Sequence, residues 1–578
     1  MKRFTAVFLA SLLTALCFIM PVAADTPAKN LPAVVVTGFS SDQLYINYGG
    51  EDQEKVWSFP IQAVLTQTLS DLPNFMFSLF MLFLGNFEKM GVTVADGGKT
   101  ILKKMYCNPD GSSVYPIETY PNDPALCNYE YMLNNTNGED IHETPIVEAL
   151  AEQTGPEDVF IFQYDTRMGA VDIAAQLNDF IKDVLEYTGE DRVNMFGLSY
   201  GGLIVGAYLS LYGTQGDVHN AVMSVPALAG TSFASRFFKG EVDVPFYDLI
   251  CFAETAINME TDIAPIIKNI NPKNLEKLAG AFLREIREIP LYWGSMWDLL
   301  TVEDYDALKN EYLDSEESAE LIRKSDIMHY EIMPQYRTNF LKAKQAGTNI
   351  SILCNYGTTT AFGGDRLGDV LLDAEKVTGA TCAKFGERFA DGYEPVCTVC
   401  ADPSHNHVSP SLEIDASSAY LPENTWFFNN QFHGMYSFDN SSFSLVKKLM
   451  SADDETDIHS SRDYPQFIDS DNRYLAVKAQ FDSSNPGYLS DNDTSLIISN
   501  VSDDRNVMIT GVKADGADLE FTLPKKKILA PGETMTVTFS GDIPKVSRQY
   551  FTLTVSYIRP SLGRDFDSRV MDFSIVNA

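Results

Sequence analysis

Positive charge is scarce in this chain. Its 578 residues include 43 Lys and Arg against 79 Asp and Glu, for a formal net charge of −36 and a pI near 4.5. Such a surface repels phosphate backbones, which excludes nucleic acid as a partner and argues against strong binding to anionic bilayers. Cysteine is sparse, at eight. The single Cys-x-x-Cys, Cys397-Thr-Val-Cys400, has no second copy to complete a zinc knuckle. Near it, His405 and His407 show no third and fourth ligands by spacing, so no metal and no other cofactor are expected. Apolar runs long enough to span a bilayer are also missing from the body of the chain. "LPNFMFSLFMLFLGNFEKM" is too short for that, and no stable transmembrane anchor is expected.

Apolar residues make up 45% of the chain, ample for folded cores, and the length implies two or three domains. Residues 1–24 have the form of a secretory signal peptide: two positive charges, a long apolar run and a small-residue cleavage site. A secreted, bacterial protein is the expectation. In that setting Cys107 and Cys127 are expected to pair, and Cys382 to pair with Cys397 or Cys400.

Residues 25–468 read as an α/β domain. "LPAVVVTGF", "EDVFIFQYDTR", "RVNMFG", "VHNAVMSVPALAGT" and "TNISILCNYGTTTA" are buried strands with polar or glycine-rich exits. Helical patterns alternate with them; over 169–189, Ile173, Leu177, Ile181 and Leu185 share one face. Strand–helix alternation predicts a mostly parallel sheet covered on both faces. Residues 232–346 interrupt it as a helical cap, and 85–141 form a second excursion. Residues 469–578 change to short alternating segments with turns between them, the pattern of an immunoglobulin-like sandwich. That module carries no catalytic constellation and is expected to offer a surface or carbohydrate contact.

Chemistry concentrates at Gly197-Leu198-Ser199-Tyr200-Gly201. A Gly-x-Ser-x-Gly bend between a buried strand and a small-residue helix presents a serine at the carboxyl edge of the sheet. Ser199 is the expected nucleophile. It needs a base, and in this sheet class acid and base follow the serine in that order. Of seven histidines, His433 fits best, late in the domain and walled by aromatics in "ENTWFFNNQFHGMY". Asp402 is the expected acid, with Asp365, Asp415 and Asn406 as alternatives. The oxyanion donors expected are the N–H groups of Tyr200 and Phe39.

"VVVTGFSSDQL", "FQYDTR", "MFGLSYGG", "LAGTSFAS" and the Asn406-His407-Val408-Ser409-Pro410 stretch together resemble the lecithin:cholesterol acyltransferase-like lipases and acyltransferases. The resemblance spans roughly 31–440. It implies an α/β-hydrolase fold with a helical cap insertion, followed here by the all-β sandwich. It also makes Asp165 and Arg167 a structural pair at the pocket rim. In that group the acid usually lies in a Gly-Asp-Gly-x-Val-like turn, which the 402–409 region does not match. The implied activity is a secreted serine hydrolase cleaving lipid or other carboxylic esters through an acyl-enzyme on Ser199. The alternatives are a lipid acyltransferase and an inactive hydrolase-fold binding protein.

Overall fold

The structure is a computed structural model. It describes residues 31–575 apart from 40–43, 57–71, 84, 136–143, 242–271, 361–364, 391, 398–399, 401–406, 430, 432, 434–439, 461–462, 470–476, 483–487, 491–492, 501–505, 544–548 and 559–565. The expected signal peptide, Cys251 and part of the expected cap lie outside the described residues.

Seven strands form the central sheet: β1 (Ala33–Val36), β2 (Val159–Phe162), β3 (Val193–Leu198), β4 (Val218–Ser224), β5 (Asn349–Tyr356), β6 (Thr425–Asn429) and β7 (Phe467–Asp469). Their order is β7-β6-β5-β4-β3-β1-β2, and every pairing is parallel. A parallel sheet is covered on both faces, so its strands need apolar side chains on both. That is why β1 reads Ala-Val-Val-Val and β2 Val-Phe-Ile-Phe, with every residue buried.

Helix α1 (Ala170–Thr188) connects β2 to β3 and buries Ile173, Leu177 and Ile181. Leu185 packs half-buried on the same cluster. Helix α2 (Tyr200–Leu211) leaves β3 at Ser199 and is buried through Leu209. Its Gly, Ala and Val residues allow a helix to lie close under the sheet. The result is an α/β-hydrolase core.

The cap has a hydrophobic cluster of its own, built around Phe238, Trp293, Trp297, Leu300 and Tyr305. It is helical as expected, with Ser232–Lys239, Pro272–Ile286, Val302–Tyr312 and Tyr336–Gln345 among its segments. The excursion near residue 100 joins this layer, since the Trp293 indole donates to the carbonyl of Met105 at 2.8 Å.

After β7 the chain forms two further sheets. Strands β8 (Val477–Phe481), β9 (Tyr488–Leu489), β10 (Ser495–Asn500), β11 (Val507–Asp515), β12 (Leu519–Thr522), β13 (Ile528–Leu529), β14 (Thr534–Gly541), β15 (Gln549–Ile558) and β16 (Phe566–Ile575) divide between them. One sheet has the order β8-β10-β14-β12, the other β9-β16-β15-β11-β13. All pairs are antiparallel except β9 with β16. Alternate residues face inward, as Leu496, Ile498 and Asn500 do on β10, and Phe481, Val537, Phe551 and Val555 fill the core between the sheets.

The expected disulfides do not form: Cys107, Cys127 and Cys382 are unbridged. Cys127 packs in the core of the central sheet and Cys107 in the cap cluster, so their shared loop spans two separate interiors. The Cys382 thiol sits within 3.7 Å of the Ala380 carbonyl, and burial pushes its pKa well up.

Candidate active site

Ser199 stands between β3 and α2 with φ 56° and ψ −117°. Few residues other than glycine adopt this conformation, which costs about 1–3 kcal/mol and persists where surrounding structure enforces it. The bend is pinned from both sides. The Ser199 N–H donates to the Ser224 carbonyl at the end of β4, at 2.9 Å. Gly201 lies against β1, where a Cβ would come within 2.3 Å of the Val36 and Thr37 carbonyl oxygens. Only glycine fits there, and without that approach the helix could not start beneath the strand ends.

Loop 37–39 borders the serine. A Cβ on Gly38 would be 3.6 Å from the Ser199 Cβ, in ordinary contact. Two residues after β2 hold this loop, and a third pairs with its neighbour beside them. Tyr164 Oη donates to the Thr37 carbonyl at 2.8 Å, and Thr166 Oγ1 donates to the Phe39 carbonyl at 2.7 Å. Arg167 grips Asp165 with two parallel bonds, at 2.9 and 2.6 Å, while almost fully buried. Phe39 packs edge-on against Tyr200 and faces Trp293 of the cap. Phe39 and Tyr200 therefore flank the Ser199 bend, and the dipole of α2 directs its positive end there.

His433 follows β6 and reaches back to Ser199. Its Nε2 lies 2.8 Å from Ser199 Oγ, and its Nδ1 lies 2.9 Å from Asp369 Oδ2. An ionised carboxylate only accepts, so Nδ1 carries the proton and Nε2 accepts from the serine hydroxyl. The backbone reinforces the pair, since the His433 N–H donates to the Asp369 carbonyl at 2.8 Å. Asp369 is fully buried, and its Oδ1 accepts from the Leu371 and Leu372 N–H groups at 3.1 and 2.7 Å. One oxygen thus fixes the carboxylate while the other meets the imidazole.

The carboxylate on His433 is therefore not one of the residues expected from sequence. Asp365 is exposed and pairs with Lys384. Asp415 is buried elsewhere and accepts from Tyr393 Oη and the Val396 N–H. Asp402 and Asn406 lie outside the described residues. A signal for Asp369 exists in Gly368-Asp369-Val370, in the loop after β5. A Cβ on Gly368 would sit 2.2 Å from the Leu372 carbonyl oxygen, and Val370 takes φ 86°. A tight Gly-Asp turn after the strand following β4 marks the position; proximity to His433 in sequence does not.

Acidic residues also tie the cap to this edge. Asp373 accepts from the Ser232 N–H at 2.7 Å and from Thr360 Oγ1 at 2.8 Å, and burial raises its pKa. Asp298 accepts from the Ala170 N–H at the start of α1, at 2.6 Å. Burial pushes the Asp298 carboxyl up to about 8, against the opposite pull of that N–H. A cavity of about 330 Å³ is lined by Asp165, Arg167, Asp172, Glu320 and Lys324, but neither Ser199 nor His433 borders it.

No family model matches the chain, and no curated protein matches it. Among solved structures, phospholipase PlaB from Legionella pneumophila is similar over 80% of this chain and 91% of that one, at 9% identity and a TM-score of 0.23. PlaB in complex with thio-NAD is similar over 76% of this chain and 90% of that one, at 9% identity and a TM-score of 0.25. Likeness at this level assigns no chemistry, and what the arrangement can do rests on its own geometry. A strained serine, an oriented imidazole and a buried carboxylate in one hydrogen-bonded line can activate a hydroxyl for attack on a carbonyl.

Proposed function

We propose that the chain is a serine hydrolase that cleaves carboxylic esters, with acyl esters of lipids as its substrate class. The observation that carries this reading is the line Ser199 Oγ, His433 Nε2, His433 Nδ1, Asp369 Oδ2, with successive contacts of 2.8 and 2.9 Å. Ser199 attacks the ester carbonyl as His433 takes its proton. Asp369 holds the imidazole tautomer and stabilises the imidazolium. The N–H groups of Tyr200 and Phe39 receive the developing oxyanion, and each such donor contributes about 3 kcal/mol to the transition state. His433 then protonates the leaving alcohol, and water releases the acyl group by the same relay. In this reading Asp369 replaces Asp402 as the acid.

The lipid part of the reading is supported by the helix Leu72–Phe83, which leaves Met76, Phe77 and Phe80 more than half exposed. Three large apolar side chains together at the surface suit contact with a hydrocarbon phase. Among the described residues no helix is long and apolar enough to cross a membrane. The narrower likeness to the lecithin:cholesterol acyltransferase-like group rests on the sequence motifs, and secretion on the leader.

The test is a fluorophosphonate probe together with p-nitrophenyl esters of short and long chains. The wild type labels at Ser199 and turns over both, with a preference for the long chain. Ser199→Ala loses labelling and at least about 10⁴-fold in turnover while keeping its fold. Retained turnover in the alanine variant would sink the assignment.

A further inference from the structure

A second cluster of reactive side chains lies at the opposite end of β6. Cys400, His407 and Glu423 bring one ligand atom each to within 4.8 Å of one another. His459 joins them, with its Nε2 3.3 Å from Cys400 Sγ and 3.8 Å from Glu423 Oε1. Tetrahedral zinc with sulfur and nitrogen at their usual bond lengths separates its ligand atoms by about 3.4–3.6 Å. A thiol, an imidazole and a carboxylate within 4.8 Å of one another, with a second imidazole beside the thiol and the carboxylate, are a borderline-soft donor set of the kind zinc takes.

Hydrogen bonding orients the buried imidazole for this. Gln466 Nε2 donates to the Pro422 and Thr425 carbonyls at 2.6 and 3.1 Å, which makes its Oε1 an acceptor. That Oε1 lies 2.8 Å from His407 Nδ1, so Nδ1 carries the proton. The lone pair of His407 is therefore on Nε2, the form a metal-binding histidine takes when an outer partner holds its other nitrogen. His407 keeps this position with φ 56° and a side chain almost wholly out of solvent.

We propose that Cys400, His407, Glu423 and His459 form a zinc site. Four protein donors leave no open position, so the ion is structural. Glu423 lies in the turn Pro422–Asn424 that enters β6, and its carbonyl accepts from the Ile458 N–H at 3.0 Å. Gln466 directly precedes β7. The zinc therefore fastens the segments that lead into β6 and β7. The five-residue β6, about 17 Å long at the usual rise, separates this site from His433. Binding deprotonates the Cys400 thiol and releases that proton to solvent.

The experiment uses the full chain without a histidine tag, loaded with Zn²⁺, dialysed and assayed for metal by mass spectrometry. About one zinc per chain is expected. Cys400→Ser and His459→Ala fall below about one fifth of that. Should either variant fail to fold, Glu423→Gln serves, with zinc affinity reduced about tenfold or more. Cobalt in place of zinc gives a thiolate charge-transfer band in the wild type that Cys400→Ser lacks. Fluorophosphonate labelling of Ser199 in each variant reports folding independently. A wild type that retains no zinc after loading overturns the proposal. So does equal zinc binding by the folded variants.

Discussion

The two ends of β6 hold two clusters built on different plans. At the carboxyl end, main chain fixes the partners: two N–H groups hold Asp369 Oδ1, and the His433 N–H bonds the Asp369 carbonyl. Ser199 sits on a bend enforced by Gly201 against β1. At the amino end, Cys400, His407, Glu423 and His459 approach through side chains, and a side-chain amide orients the imidazole. A cluster fixed by backbone keeps its geometry with nothing bound, as a reaction requires. A cluster of converging side-chain donors is, on the zinc proposal, completed by the ion it holds. On the two proposals made above, the contrast separates a site for turnover from a site for stability.

The largest effect should come from the carboxyl end. Asp369→Asn leaves the shape nearly intact but disturbs the tautomer of His433, and kcat for p-nitrophenyl esters should fall about 10³–10⁴-fold. Melting temperature should move little by comparison. Asp365→Asn is the control, since that carboxylate faces solvent and Lys384; its turnover should stay within about twofold of wild type. Equal losses in the two variants would break the assignment of Asp369.

The amino end should show the converse. Cys400→Ser should lower the melting temperature of the zinc-loaded chain by several degrees, because a ligand bound only by the folded state stabilises it. A chelator should do the same to the wild type and nothing more to the variant. Ester turnover at 25 °C should stay within about twofold in both. If the chelator abolishes turnover without moving the melting curve, the two ends are not separable in this way.

Much of the carboxyl end was legible in the sequence, because each part carries a local constraint. Ser199 is flanked by glycines that close backbone contact demands, and the β1 loop follows a run of valines. The two sheets after β7 were legible by alternation, since each strand buries one face. Asp369 is not marked by nearness to the histidine in sequence but by the order of strands: its loop follows β5, which pairs with β6. The amino-end cluster could not be read from spacing. Cys400 and His407 lie seven residues apart, but Glu423 and His459 come from other segments, and the bond of the Ile458 N–H to the Glu423 carbonyl sets His459 beside Glu423. The expected disulfides failed for a related reason: bracketing a loop says nothing about which core each thiol enters.

The smallest expected effect lies at neither end and tests whether pH acts on the cap alone. Asp298 is buried at the junction of cap and α1, with its carboxyl pushed up to about 8. The usual value in an unfolded chain is about 4. A folded value above the unfolded one means that the folded state holds its proton more tightly. The stabilisation from this group is complete below about pH 4 and is lost as pH rises toward 8. Asp298→Asn keeps an oxygen for the Ala170 N–H and cannot ionise. Its melting temperature relative to wild type should therefore rise between pH 5 and pH 8 and level off above that. The difference between Asp369→Asn and wild type in ester turnover should not follow that curve, because Asp298 is tied to α1 and not to His433. A difference in melting temperature that stays flat with pH would mean that the Ala170 N–H and the helix dipole outweigh burial at Asp298.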